Sequence, residues 1–363
     1  LADEESEQSR AEALRRVLAH YLHAAHAADA LLAPYRERVA VPLAPDGVVH
    51  RDFDGQPAAG DWFEQERAVL VAMVEQAVDL PGADGGAAWR LASLLEIFLD
   101  RRGRWQEQQR MQTTALRAAR AAGDVHGEAH ALRALGFAAS RLGAHGQAGR
   151  QLREAAALFG RLGDHGGQGR TLRSLAFVAN VQGDHEAALA HYQEAAVHYE
   201  AVGHAGSKAA LHNEIGWTHL LRGDCEAALL HCEKAAAMHG ERGDRAGEAA
   251  CWDSVGCAQH RLGRQEEALA SYARAVDLYR RVGDHSLEAD TLLHAGDAHL
   301  ARGDRAGARE AWSGALRLYE RLGHPDAAVA RGKLASASAP ASVPAAVTAG
   351  AGPLSAAPAA AES

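Results

Sequence analysis

The sequence predicts an all-α fold, a right-handed superhelical solenoid of forty-residue helical hairpins, on three observations. Glycine stands at 103, 123, 143, 163, 183, 203, 223, 243, 263, 283, 303 and 323, an unbroken twenty-residue beat. Seven of these glycines precede an aspartate: Asp124, Asp164, Asp184, Asp224, Asp244, Asp284 and Asp304. Alternate segments differ in pattern, so the full repeat is forty residues, two helices and two turns. Glycine takes the left-handed conformation that closes one helix, and aspartate accepts backbone N–H bonds at the start of the next.

Aligned on the forty-residue period, the first helix carries a small residue at Gly136, Ala176, Gly216, Gly256 and Gly296. The second helix carries alanine at 148, 188, 228, 268 and 308, and again at 155, 195, 235, 275 and 315. Between those alanines stand Leu152, Tyr192, Cys232, Tyr272 and Trp312. Small residues let two backbones approach, and the larger side chain fills the groove that remains. Leu132, Leu172, Trp252 and Leu292, then Leu135, Leu175, Ile215 and Val255, mark the apolar stripe of the first helix.

Four segments are expected. Residues 1–60 form a linker helix ending at Pro34, followed by a loop that continues an absent upstream domain. Residues 61–123 form a helical cap, with Asp61 as N-cap and a degenerate repeat in which Glu96 occupies the small-residue position. Residues 124–333 hold five repeats and a terminal helix. Residues 334–363, rich in Ala, Pro and Ser, have no apolar stripe to bury and are expected to be disordered.

Composition narrows the function. The chain has 363 residues, 47% of them hydrophobic but only 5% aromatic, and a net charge of −9. The acidic balance argues against direct nucleic-acid binding, which needs a basic surface. No apolar run reaches the length of a membrane span. Four cysteines do not make a disulfide framework, so a reducing cytoplasm is expected. The absence of an initiator Met and the mid-pattern start point to a piece of a longer protein.

The spacing resembles the tetratricopeptide repeat (TPR), whose usual unit is 34 residues; HEAT and armadillo repeats compete on length alone. Further stretches resemble the C-terminal portion of AfsR-like Streptomyces antibiotic regulatory proteins and related NB-ARC/TPR (STAND) transcriptional regulators. They are "ALRRVLAHYLHAAHAADALLAPYRERVAVP", "DWFEQERAVLVAMVEQA", "FLDRRGRW" and repeats of the "RLGDHGGQGRTLRSLAFV" kind. The resemblance implies an upstream DNA-binding region and a STAND ATPase, with ATP or ADP bound there and no cofactor in this chain. "RGKLAS" lacks the first glycine and the Ser/Thr of a phosphate loop. The resemblance also implies signal transduction controlling antibiotic or secondary-metabolite genes.

No catalytic site is expected, since the nucleophile-elbow, zinc-protease and dinucleotide motifs are missing. No metal site is expected either. Cys225, Cys232, Cys251 and Cys257 lack the C-x₂-C spacing of zinc modules, and Cys232 reads as a core filler. A Cys257/His260 nucleophile pair would lack an orienting partner. The histidines beside the turn glycines, and His212 and His219, read as solvated positions.

Function is expected on the inner face of the stacked first helices. Its residues are Arg133, Phe137, Ser140 and Arg141, then Arg170, Arg173, Phe177 and Asn180. They continue with Asn213 and Trp217, Asp253, Cys257 and His260, and Asp290 and Asp297. Phe137, Phe177 and Trp217 recur every forty residues, either as anchors for an extended peptide or as packing between hairpins. Arginines at one end and aspartates at the other suit a peptide or protein segment, or the parent protein's own NB-ARC or DNA-binding domains. A constitutive protein–protein scaffold and a quorum-peptide receptor are the alternative readings.

Overall fold

The computed structural model describes residues 2–33, 39–79, 86–203 and 205–338. The described residues contain helices and connecting segments, and no strand. They form two compact units, Leu1–His204 and Ala205–Ser363.

The first unit opens with α1 (Ala2–Leu32), α2 (Gly55–Asp79), α3 (Gly86–Leu94) and α4 (Glu96–Arg101). It continues through α5 (Trp105–Ala122), α6 (Val125–Arg141), α7 (His145–Leu162), α8 (His165–Val181) and α9 (His185–Ala201). The second unit runs through α10 (Ala205–Arg222), α11 (Cys225–Glu241), α12 (Arg245–Arg261), α13 (Gln265–Val282), α14 (His285–Ala301), α15 (Arg305–Leu322) and α16 (Ala327–Ser338). From α6 onward each pair is one forty-residue hairpin, with the all-α repeat the glycine beat predicts.

All twelve beat glycines have positive φ, between 62° and 89°. Six of the seven aspartates cap the next helix; Asp164 Oδ1, for example, accepts from the Gly167 N–H at 2.7 Å. Asp224 is the exception. It makes no side-chain cap bond, because its carboxylate turns back toward Arg222 at 3.5 Å and His219 at 3.6 Å.

In four of the hairpins the small residue of the first helix is a glycine that meets the large residue of the second. A Cβ added at Gly136 would stand 2.6 Å from Leu152 Cγ, and one at Gly256 would stand 2.6 Å from Tyr272 Cε1. Gly216 faces Cys232 and Gly296 faces Trp312 in the same way. A second buried column, Phe159, Tyr199, His239, Tyr279 and Tyr319, closes the far end of the second helices. Phe159 lies over Gly167 and His239 over Gly247.

The N-terminal helices build a different, aromatic core. Trp62, Phe63, Trp89 and Phe98 pack with Leu18, Leu22, Leu70 and Leu95, and Phe63 stacks on Phe98 at 5.2 Å. Here α2 begins at Gly55 rather than at Asp61. Pro57 is tolerated in the first turn because its missing N–H would have no partner there. Asp61 therefore sits inside the helix and is not its cap. Pro34 lies outside the described residues, as does 339–363 of the expected tail; α16 continues to Ser338.

Two kinds of glycine give two kinds of mutant. Gly256→Val drives methyl groups into the buried Tyr272 ring and should cost about 2 kcal/mol or more, lowering the thermal midpoint. Gly263→Ala meets nothing within 4 Å but must hold φ at +78°, and should cost about 1 kcal/mol through backbone strain. An unchanged midpoint for Gly256→Val would contradict the close helix approach.

Candidate functional site

In the first unit, α6 and α8 are first helices of successive hairpins and lie side by side. Arg133 on α6 reaches back to α4, where its Nη2 donates to Glu96 Oε2 at 2.6 Å. Both side chains are buried, at 3% and 6% exposure. Arg133 is therefore not available on the open face, contrary to the sequence expectation. Glu96 stands where later hairpins keep a small residue, and a carboxylate forced into that packing position needs a buried countercharge. Arg173 and Asn180 are buried as well, and His185 Nδ1 lies 3.1 Å from Asn180 Oδ1. Ser140 is buried and donates to the Phe137 carbonyl.

Phe137, Arg141, Arg170 and Phe177 are half-buried. The two phenyl rings touch across the hairpin boundary, 6.1 Å between centroids and tilted by 43°. They are packing between repeats and open surface at once. The Arg141 guanidinium lies over the Trp105 ring, 4.5 Å from its centroid, with Nε 3.5 Å from Asp100.

In the second unit the expected inner-face residues mostly turn inward. Trp217 belongs to a core with Leu220, Leu229, Val255 and Ala258, so this aromatic is packing and not an exposed anchor. Asn213 and Asp253 are buried. His260 is half-buried and lies 2.6 Å from Gln265 Oε1. The Cys257/His260 pairing does not form. Cys257 instead faces His294 on α14, with 3.7 Å between Sγ and Nδ1, and the same Nδ1 lies 3.0 Å from Asp253 Oδ1.

Burial alone would depress the His294 pKa, yet Cys257 and Asp253 beside it hold it well above the ordinary imidazole value. Burial pushes the Asp290 carboxyl up to about 6, against a hydrogen bond from Tyr319. Asp297 is paired with Lys333 at 2.8 Å. Burial also pushes the Cys232 and Cys251 thiols up, as expected of core fillers.

Several histidines expected to be solvated are packed. His324 is buried and stacks on Tyr319 at 5.3 Å. His212 and His219 both approach the ring of His231, at 5.4 and 5.5 Å.

Two groups among the described residues could hold a metal ion: His126 with His130 and Asp164, and Asp253 with Cys257 and His294. In the first, Asp164 already caps α8 and lies 3.5 Å from His126, while His130 stacks on Trp89 and meets Phe159 edge-on. The second is not a nucleophile relay, which would use both imidazole nitrogens; both partners meet one nitrogen. Sequence reasoning missed His294, since its column otherwise reads Ala134, Ser174, Glu214 and Ser254 and gives no signal. It also missed the Glu96–Arg133 pair, for which a glutamate in a small-residue column was the available sign.

The tetratricopeptide repeat family model matches residues 167–241, and the chain carries TPR-type helical repeats. No curated protein sequence matches it significantly. Among solved structures it is similar to a Rap protein complexed with Competence and Sporulation Factor, with a TM-score of 0.53 and 14% identity over 78% of this chain and 91% of that one. It is similar to the Rap conjugation gene regulator of plasmid pLS20 in complex with a Phr peptide, with a TM-score of 0.51 and 16% identity over 70% and 74%. A third is a STAND protein with a TPR sensor from Pyrococcus horikoshii, with a TM-score of 0.51 and 14% identity. The match covers 77% of this chain but 46% of that protein. At these identities the likeness is one of fold. No helix among the described residues is long and apolar enough to cross a membrane.

Glu96→Ala leaves the Arg133 guanidinium without its carboxylate and should cost about 3 kcal/mol. The double change Glu96→Ala/Arg133→Met should recover most of that loss, measured by thermal unfolding. A double variant whose loss equals the sum of the losses of Glu96→Ala and Arg133→Met would show that the two side chains are not coupled.

Proposed function

We propose that this chain is a non-catalytic TPR sensor or effector segment of a bacterial transcriptional regulator. On this reading it engages a peptide, a protein segment or another domain of its parent polypeptide. The observation that carries the reading is the half-buried Phe137–Phe177 pair, flanked by Arg141 and Arg170 on neighbouring first helices. Aromatic rings supply anchoring area with little conformational entropy to lose, and guanidinium groups bind carboxylates in a fixed geometry. The binding face is thus smaller than the stretch from Arg133 to His260 that the sequence proposes.

The finer reading is a sensor arm of an AfsR-like, cytoplasmic STAND regulator of antibiotic genes. It is supported by the linker and "DWFEQERAVL" resemblance and by the fold likeness to a STAND protein with a TPR sensor. For the array to signal, its partner must bind the resting and active states of the regulator with different affinity. A peptide-receptor reading is favoured by one separate observation: two structures of similar fold are Rap proteins solved with a signalling factor or peptide.

Deleting 124–323 from the full-length regulator should change reporter output and abolish inducibility. Phe137→Ala/Phe177→Ala should reproduce the loss of inducibility while far-UV circular dichroism stays unchanged. Wild-type output and inducibility in both would contradict the sensor role.

A further inference from the structure

Asp253 and Cys257 stand one turn apart on α12, so their side chains leave the helix on one face, and α14 brings His294 against both. Ligand-capable atoms of the three residues lie within 4.8 Å of one another. The His294 Nδ1 is 3.0 Å from Asp253 Oδ1 and 3.7 Å from Cys257 Sγ. Ligands on a tetrahedral zinc ion, with bonds of about 2.0–2.3 Å, lie about 3.3–3.6 Å apart. The two separations straddle that range, and an ion fits among these atoms with small side-chain adjustments.

A second observation points to a cation. Asp253 is 1% exposed, and its other oxygen, Oδ2, is buried with no hydrogen-bond partner among the described residues. An unmet buried carboxylate oxygen is costly, and a metal ion would satisfy it. Access is not blocked, because Cys257 and His294 are both half-buried. Cys257 packs against the cluster that holds Tyr272, whose ring lies 6.1 Å from the His294 ring between centroids. The His126, His130 and Asp164 group offers nothing comparable, since its carboxylate is already spent on a helix cap and a histidine.

We propose that Asp253, Cys257 and His294 form a binding site for a zinc-class divalent cation, with one coordination position left open to solvent. A thiolate, an imidazole and a carboxylate together select zinc over magnesium or calcium, which prefer all-oxygen sets. Binding needs the thiolate and the free Nδ1 lone pair, so any protons on those atoms are released as the ion enters. The ion ties α12 to α14, the first helices of two successive hairpins, and makes their spacing depend on metal supply. This site is separate from the Phe137–Phe177 face and does not depend on the regulatory reading.

The test uses the whole chain, reduced and stripped with a chelator, and titrated with Co²⁺ alone. One cobalt per chain with thiolate-to-cobalt charge-transfer absorption is expected, and Zn²⁺ should displace it. Cys257→Ser should abolish that absorption and weaken Zn²⁺ binding at least ~100-fold, while Cys225→Ser changes neither. Zn²⁺ should raise the melting temperature of the wild-type chain but not of the near-isosteric Asp253→Asn. Should Cys257→Ser fail to fold, zinc protection of Cys257 from alkylation in the wild-type chain gives the same reading. A folded wild-type chain without the thiolate band, or a band and Zn²⁺ affinity untouched by Cys257→Ser or Asp253→Asn, would overturn the site.

Discussion

How closely two helices can pack within one hairpin is fixed by a small residue facing a large one, and the rest of the architecture depends on it. Gly136 under Leu152, Gly216 under Cys232, Gly256 under Tyr272 and Gly296 under Trp312 are the same contact made four times. Removing the Cβ from the first helix lets the second approach until its large side chain fills the gap, so the interior reaches close packing without a void. The flanking alanines, such as Ala268 and Ala275 around Tyr272, are then fully buried. The beat glycines and capping aspartates act separately. They satisfy the helix ends and reverse the chain; the glycines at the turns touch little.

Two polar residues that replace a packing residue of the repeat are each met by a partner. Glu96 takes a small-residue position and is answered by Arg133; His239 takes an aromatic position and lies 2.7 Å from Asp244, which also caps α12. Both departures are balanced from the neighbouring element, because an unpaired buried charge would cost several kcal/mol. Asp253 departs from this pattern. It has His294 on one oxygen and, among the described residues, no hydrogen-bond partner on the other, in a place that also gathers a thiol.

These pairings redraw the inner face. An arginine and a tryptophan that a repeat diagram would place on an open groove are drawn inside by a neighbour: Arg133 by Glu96, and Trp217 by Leu229 and Val255. Phe137 and Phe177 keep part of their surface while leaning on each other. Surface chemistry in such an array is thus what remains after the seams between hairpins have been satisfied.

The sequence by itself determined the helices, their ends, the forty-residue hairpin and the facing of small against large residues. Those features are local or recur at fixed spacing, and sterics together with capping hydrogen bonds dictate them. The start of α2 escaped because a proline tolerated in a first turn looks like loop punctuation. Tertiary structure alone decided which polar side chains meet across hairpins. Cys257 has His260 three residues along its own helix, yet its partner is His294, thirty-seven residues on. The spacing within a helix carries no information about a side chain approaching from the next hairpin. That approach depends on how far two helix faces turn toward each other, which only the packed chain fixes.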